Sequence, residues 1–127
     1  MWLPASGFMP FELELLPEQT LSCIQAQMNG SELLMREKSI EQKLLQATRH
    51  GGGLALKFIS PGWAGVPDRL VLLPGKCLAF VEVKAPGKLL RPLQVKRKRQ
   101  LEALGFSVYC IDHPDQIGGV LDEIRTS

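Results

Sequence analysis

An aspartate at 68, a glutamate at 82 and a lysine at 84 are the residues whose types and spacing can do chemistry in this chain. Two hard carboxylates can hold Mg²⁺, which prefers oxygen ligands and keeps several waters. A bound ion of that kind lowers the pKa of a water and neutralises charge on a phosphate oxygen. A lysine beside them can orient the attacking hydroxide or stabilise the crowded phosphorus centre of the transition state. The competing reading is an edge hairpin whose charges are simply solvated.

The chemistry requires the chain to fold back between the two acids. Residues 70–73 are an apolar run, Pro74-Gly75-Lys76 is a turn signal, and residues 77–84 alternate, which together predict a β-hairpin. Alternation puts Cys77, Ala79, Val81 and Val83 on one face and Leu78, Phe80, Glu82 and Lys84 on the other. Asp68 enters the first strand. A tight turn therefore brings it beside Glu82 and Lys84 at one end of the hairpin.

Helices and loops on either side supply candidates for a supporting cast. Ser39 and Gln42 make a capping-box pattern, which predicts a helix from about 39 to the glycines at 51–53. Ile40, Leu44 and Ala47 form its apolar stripe, with Leu45 flanking. Glu41 lies beside that stripe. It is either a third metal or water ligand at the rim of the sheet, or a first-turn glutamate favoured by the helix dipole. His50 reads as a solvated helix-end residue.

A strand at 54–59 and a turn-rich loop at 60–66 lead straight into Asp68. Glycines at 62 and 65 let backbone amides approach a phosphate closely. Trp63 is either a stacking platform for a base or an aromatic lid over the end of the core. Pro92 suits the first turn of a helix over 91–104. Gln94 is nearly two turns from Leu101, so it points inward, where its amide can bind the nucleophilic water or anchor Lys84. A strand at 106–111 and a closing helix at 116–124 follow. Asp112 and His113 read as loop residues rather than as a metal pair.

Composition sets the bounds. With 127 residues, 45% hydrophobic and 22% charged, the chain suits a soluble globular protein. Its three cysteines are odd in number and lack metal-ligand spacing, which suggests a reducing cytoplasm with Cys77 and Cys110 as small core residues. No run is long and apolar enough to span a membrane, and the N-terminus lacks a secretory signal. The net charge of +2 conceals a basic run. Lys84, Lys88, Arg91, Lys96, Arg97, Lys98 and Arg99 follow one another with no acid between 84 and 100. Such a run is commonly a solvated helix face, but here it starts at the candidate metal site and points to phosphate. Lys88, Arg91, Lys96 and Arg99, with Trp63, are the expected nucleic-acid contacts.

Residues 1–34 differ from the rest. Prolines at 4, 10 and 17 punctuate them, and they carry Glu12, Glu14, Glu18 and Glu32 but no Lys or Arg. The segment has room for a short strand and a helical piece around 17–28. It reads as an N-terminal extension of unknown role, with Met28 and Met35 as alternative natural starts. Residues 35–127 are the expected functional domain. The order helix, three strands, helix, strand, helix predicts an α/β fold, a mixed central sheet with an antiparallel hairpin flanked by helices. The last strand is expected parallel to the second hairpin strand, through a right-handed crossover.

With Glu41, Gly65-Val66-Pro67-Asp68-Arg69, Phe80-Val81-Glu82-Val83-Lys84 and Gln94 placed, residues 35–124 resemble the VRR-NUC domain. This is the virus-type replication-repair nuclease branch of the PD-(D/E)XK superfamily. The resemblance implies a restriction-endonuclease-like core and a Mg²⁺- or Mn²⁺-dependent DNA endonuclease. It further implies that Asp68, Glu82 and the backbone carbonyl of Val83 ligate the metal and that Lys84 is the catalytic lysine. Glu41 and Gln94 would support metal, water and lysine. Stand-alone members resemble phage and prophage proteins and are similar in architecture to dimeric Holliday-junction resolvases. A homodimer acting on branched DNA in replication or repair is the expectation. A DNA-binding module without chemistry, or a nuclease of linear duplex or ends, is the alternative.

Overall fold

The structure, a computed structural model, describes residues 29–127. The strand and helical piece expected before residue 29 lie outside those residues. Helix α1 (Gly30–His50) leads into strands β1 (Leu54–Lys57), β2 (Arg69–Leu73) and β3 (Cys77–Val83). Helix α2 (Pro92–Ala103), strand β4 (Ser107–Ile111) and helix α3 (Gln116–Thr126) complete the order. The sheet runs β1-β2-β3-β4, with the first three strands antiparallel and β4 parallel to β3. This is the mixed α/β sheet flanked by helices that the sequence predicts.

Two apolar layers hold it together. On one face Ile40 and Leu44 of α1 and Ile117, Val120, Leu121 and Ile124 of α3 pack on Val71, Leu73, Ala79, Val81, Val83 and Ile111. On the other, Leu101 of α2 meets Phe80 and Val108, flanked by Phe58, Trp63, Leu70 and Leu78. The alternation of β3 is thus resolved, with its odd positions toward α1 and α3 and its even positions toward α2. The first layer is the larger. Truncating Leu44, which is fully buried, costs ~2–5 kcal/mol on the usual scale for such a cavity.

Three sequence expectations shift. Helix α1 begins at Gly30, not near Ser39, because Asn29 caps it by accepting from the Glu32 amide at 2.8 Å. Its first turns project past the core, leaving Leu34 and Met35 exposed. Apolar periodicity therefore starts later than the helix does, and the helix crosses the boundary drawn at residue 34. Strand β1 stops at Lys57, although Phe58 still donates to the Asp68 carbonyl at 2.7 Å. Cys110 is exposed rather than a core residue, because β4 is an edge strand and α2 covers Val108 but not Cys110.

Among the described residues, no helix is long and apolar enough to cross a membrane.

Candidate active site

The hairpin register fixes the site. Arg69 stands opposite Val81 and Leu70 opposite Phe80, so one step further Asp68 stands opposite Glu82, on the α2 face. Glu82 is the hub and is nearly fully buried. Its Oε1 accepts from the Asp68 amide at 3.1 Å. Its Oε2 accepts from Gln94 Nε2 at 2.9 Å and lies 3.3 Å from Lys84 Nζ. The Lys84 backbone is held in turn, its amide donating to the Ile111 carbonyl at 2.8 Å, beyond the end of β3. Val83, between them, buries its side chain in the larger core.

Burial, and then the charge of Asp68, push the Glu82 carboxyl above the ordinary glutamate value, while Lys84 and the Asp68 amide act the other way. The Asp68 carboxylate itself accepts no hydrogen bond among the described residues. Two acids thus face each other where one is desolvated and the other lacks a donor. This is a donor set that a hard divalent cation fits. Glu82 Oε1, with the Asp68 amide as its one protein donor, keeps a second lone pair for an ion, while Oε2 is engaged by both Gln94 and Lys84.

Gln94 was expected to bind water or anchor Lys84; its Nε2 holds Glu82 instead. Its Oε1 accepts from the Arg91 amide at 2.9 Å, at the start of α2. Glu41 lies elsewhere. It forms an ion pair with Arg69, whose register places it on the α1 face, away from Glu82. Arg69 also donates to the Ala55 carbonyl at 3.4 Å, while its Nε is buried with no partner. Sequence reasoning missed Arg69, although period-2 alternation with Val71 and Leu73 already turned it inward.

The basic run divides in two. Lys84 faces the site, Arg97 clasps the loop before β2, and Lys98 pairs with Glu102 at 3.4 Å. Lys88, Arg91, Lys96 and Arg99 are exposed. Trp63 packs against the smaller core, and the Arg97 guanidinium lies 4.6 Å from its ring centroid. The lid reading describes that placement. Cys110 lines a cavity of about 10 Å³ beside Glu82 and Gln94, room for about one water. Desolvation around its sulfur, then the Asp112 and Glu82 charges, push the thiol up to about 11 although the residue as a whole is exposed, which disfavours the nucleophilic thiolate at neutral pH. His113 and Asp115 bond to each other within their turn.

A mixed four-stranded sheet with two acids and a lysine at one hairpin end defines a restriction-endonuclease-like nuclease fold. A solved VRR-NUC domain superposes with a TM-score of 0.65 and 25% identity, covering 68% of this chain and 95% of that one. "Putative nuclease p44" of Acyrthosiphon pisum secondary endosymbiont phage 1 is 50% identical over 82 residues. That match spans 65% of this chain and 88% of the phage protein. No family model matches the chain. On this likeness of sequence and structure, the chain belongs to the VRR-NUC family of nucleases.

Proposed function

We propose that this nuclease is a divalent-metal-dependent DNA endonuclease, selective for branched DNA and working as a homodimer. The observation that carries the reading is the junction at Glu82, where Asp68, Lys84 and Gln94 converge on one buried carboxylate. Asp68, Glu82 and the Val83 carbonyl would hold Mg²⁺ or Mn²⁺, which supplies Lewis-acid activation of water and charge neutralisation at the phosphate. Lys84 places an ammonium beside that charge, where it stabilises the crowded phosphate of the transition state. Gln94 fixes the Glu82 rotamer from α2, so the site is ordered before substrate arrives. Glu41 acts through Arg69, bracing the strand that begins immediately after Asp68.

Lys88, Arg91, Lys96 and Arg99 lie on or just before α2, the helix that also carries Gln94. A backbone docked along them approaches the acids from the α2 side. The dimer reading draws on the free margin of the sheet. Edge strand β1 and the segment after it expose Leu54, Leu56 and Ile59, an apolar border suited to a second copy. Two-fold symmetry would then match a two-fold junction.

The test incubates labelled four-way junction, flap and linear duplex with the protein in Mg²⁺, Mn²⁺ or EDTA, alongside a solution mass. Junction cleavage in metal only, by a dimer, is the expected result. Equal cutting of linear duplex removes the branched-DNA preference. Binding without cleavage in every metal reduces the chain to a DNA-binding module.

A further inference from the structure

Arg97 sits in the basic run but, half-buried, commits its guanidinium to contacts within the protein. Its Nε donates to the Ala64 carbonyl at 2.7 Å, and one terminal nitrogen donates to Gln100 Oε1 at 2.9 Å. Its guanidinium also lies over the Trp63 ring, 4.6 Å from the centroid, a cation–π contact. Just beyond, Gly65 has φ +86, and a Cβ there would come within 2.7 Å of Leu93 Cγ and 3.3 Å of Arg97 Cγ. The 60–66 loop is thus pressed onto α2 with no room to spare. Two residues further, Pro67 is buried and Asp68 begins the site.

One turn earlier on the same helix, Gln94 holds Glu82. Helix α2 therefore grips both acid-bearing segments, Glu82 directly and Asp68 through its loop. We propose that Arg97 is a positioning residue of the nuclease reaction. It sets where the Asp68 carboxylate stands relative to Glu82, and so how readily the pair accepts a cation. The inference rests on the metal-dependent reading above. It assigns Arg97 a role different from that of its exposed neighbours Lys96 and Arg99, the proposed phosphate contacts.

The experiment compares wild type with Arg97→Ala, Arg97→Lys and Arg99→Ala. Two quantities are read: the Mg²⁺ concentration that half-saturates the melting-temperature shift of DNA-free protein, and the kcat of cleavage. A positioning role predicts that Arg97→Ala needs about tenfold or more extra Mg²⁺ and loses ~10- to 100-fold in kcat, the scale of a small misplacement. Excess Mg²⁺ recovers part of that rate, and DNA affinity in EDTA keeps its salt slope.

Arg97→Lys keeps the charge but not the planar donor that bonds Ala64 while covering Trp63, so it falls with Arg97→Ala rather than with wild type. Lysine retention also gives a folded comparison should the alanine variant melt too low. Arg99→Ala weakens DNA binding and leaves the Mg²⁺ requirement of free protein alone. If Arg97→Lys matches wild type, or if Arg97→Ala changes only DNA affinity and salt slope, Arg97 is a phosphate contact and the proposal fails. If wild type shows neither Mg²⁺-dependent cleavage nor a Mg²⁺ shift, the metal-dependent reading fails first and takes this proposal with it.

Discussion

Gln94 donates to Glu82 across 2.9 Å while accepting, through its other amide atom, from the Arg91 backbone at the start of α2. A single side chain therefore caps the start of a helix and orients a buried acid. Glu82 must be ionised to hold a cation, and its carboxyl is raised by burial and by Asp68. The acid limb of the cleavage profile should accordingly lie above the ordinary glutamate value of 4.5. Protons and metal compete for the same oxygens, so raising Mg²⁺ moves the limb to lower pH. Gln94→Ala removes a donor to the ionised form and moves the limb to higher pH, at a stability cost of about 2 kcal/mol. Rate profiles at two Mg²⁺ concentrations check both shifts; a limb indifferent to Mg²⁺ would separate Glu82 from the metal.

Asp68→Asn should abolish cleavage and yet strengthen the fold at neutral pH without metal. The sign follows from Glu82. Its raised folded-state pKa means the proton is held more tightly in the folded chain. That contribution to stability is complete below the ordinary glutamate value and is lost as pH rises through the folded value. Asp68 deepens the loss, and the asparagine relieves it. In EDTA at neutral pH the variant should melt a few degrees higher, the gain fading as pH falls through the raised Glu82 value and gone below 4.5. Mg²⁺ should raise the melting temperature of wild type but not of the variant. Equal melting of both proteins at neutral pH would show that the acids do not repel.

Glu41 and Arg69 form a pair whose side chains are 24% and 12% exposed. Removing one partner strands a largely buried charge, so Glu41→Ala should cost about 3 kcal/mol. Arg69→Met with Glu41→Leu, which removes both charges, should recover much of it. Denaturant melts of the two variants check this. If Glu41→Ala left stability intact but raised the Mg²⁺ requirement, Glu41 would belong to the metal instead.

Chemistry and docking should separate cleanly. Lys84→Ala should abolish turnover and keep most DNA affinity, since its ammonium is committed to Glu82. Neutralising Lys96 and Arg99 should weaken binding and flatten its salt dependence, each lost phosphate contact reducing the slope by about one. Filter binding across a salt series, with cleavage measured at saturation, distinguishes the two sets.

Much of this arrangement is legible in the sequence because it follows from period and punctuation. The hairpin, the two faces of β3, and the start and end of α2 between Pro92 and the glycine at 105 need only local rules. Gln94 is found inward because Leu101 must be. Other features resist such reading for physical reasons. The start of α1 is hidden because its first turns touch no core and so show no apolar rhythm. Arg69 and Arg97 are missed for a different cause. Alternation or helical phase gives the direction of a side chain, whereas the partner of a long guanidinium depends on what another segment brings within reach. The basic run looks uniform along the chain; folding turns it into exposed cations, a loop clasp and a site lysine.

The crowding of Asp68 and Glu82 also bears on attempts to toughen this protein. A screen that rewards heat resistance alone should favour a neutral replacement at Asp68, which on the proposed mechanism would cost the protein its activity. On the proposed metal-dependent reading, selection for durability belongs in the presence of the divalent ion, which would quench the pair's mutual repulsion.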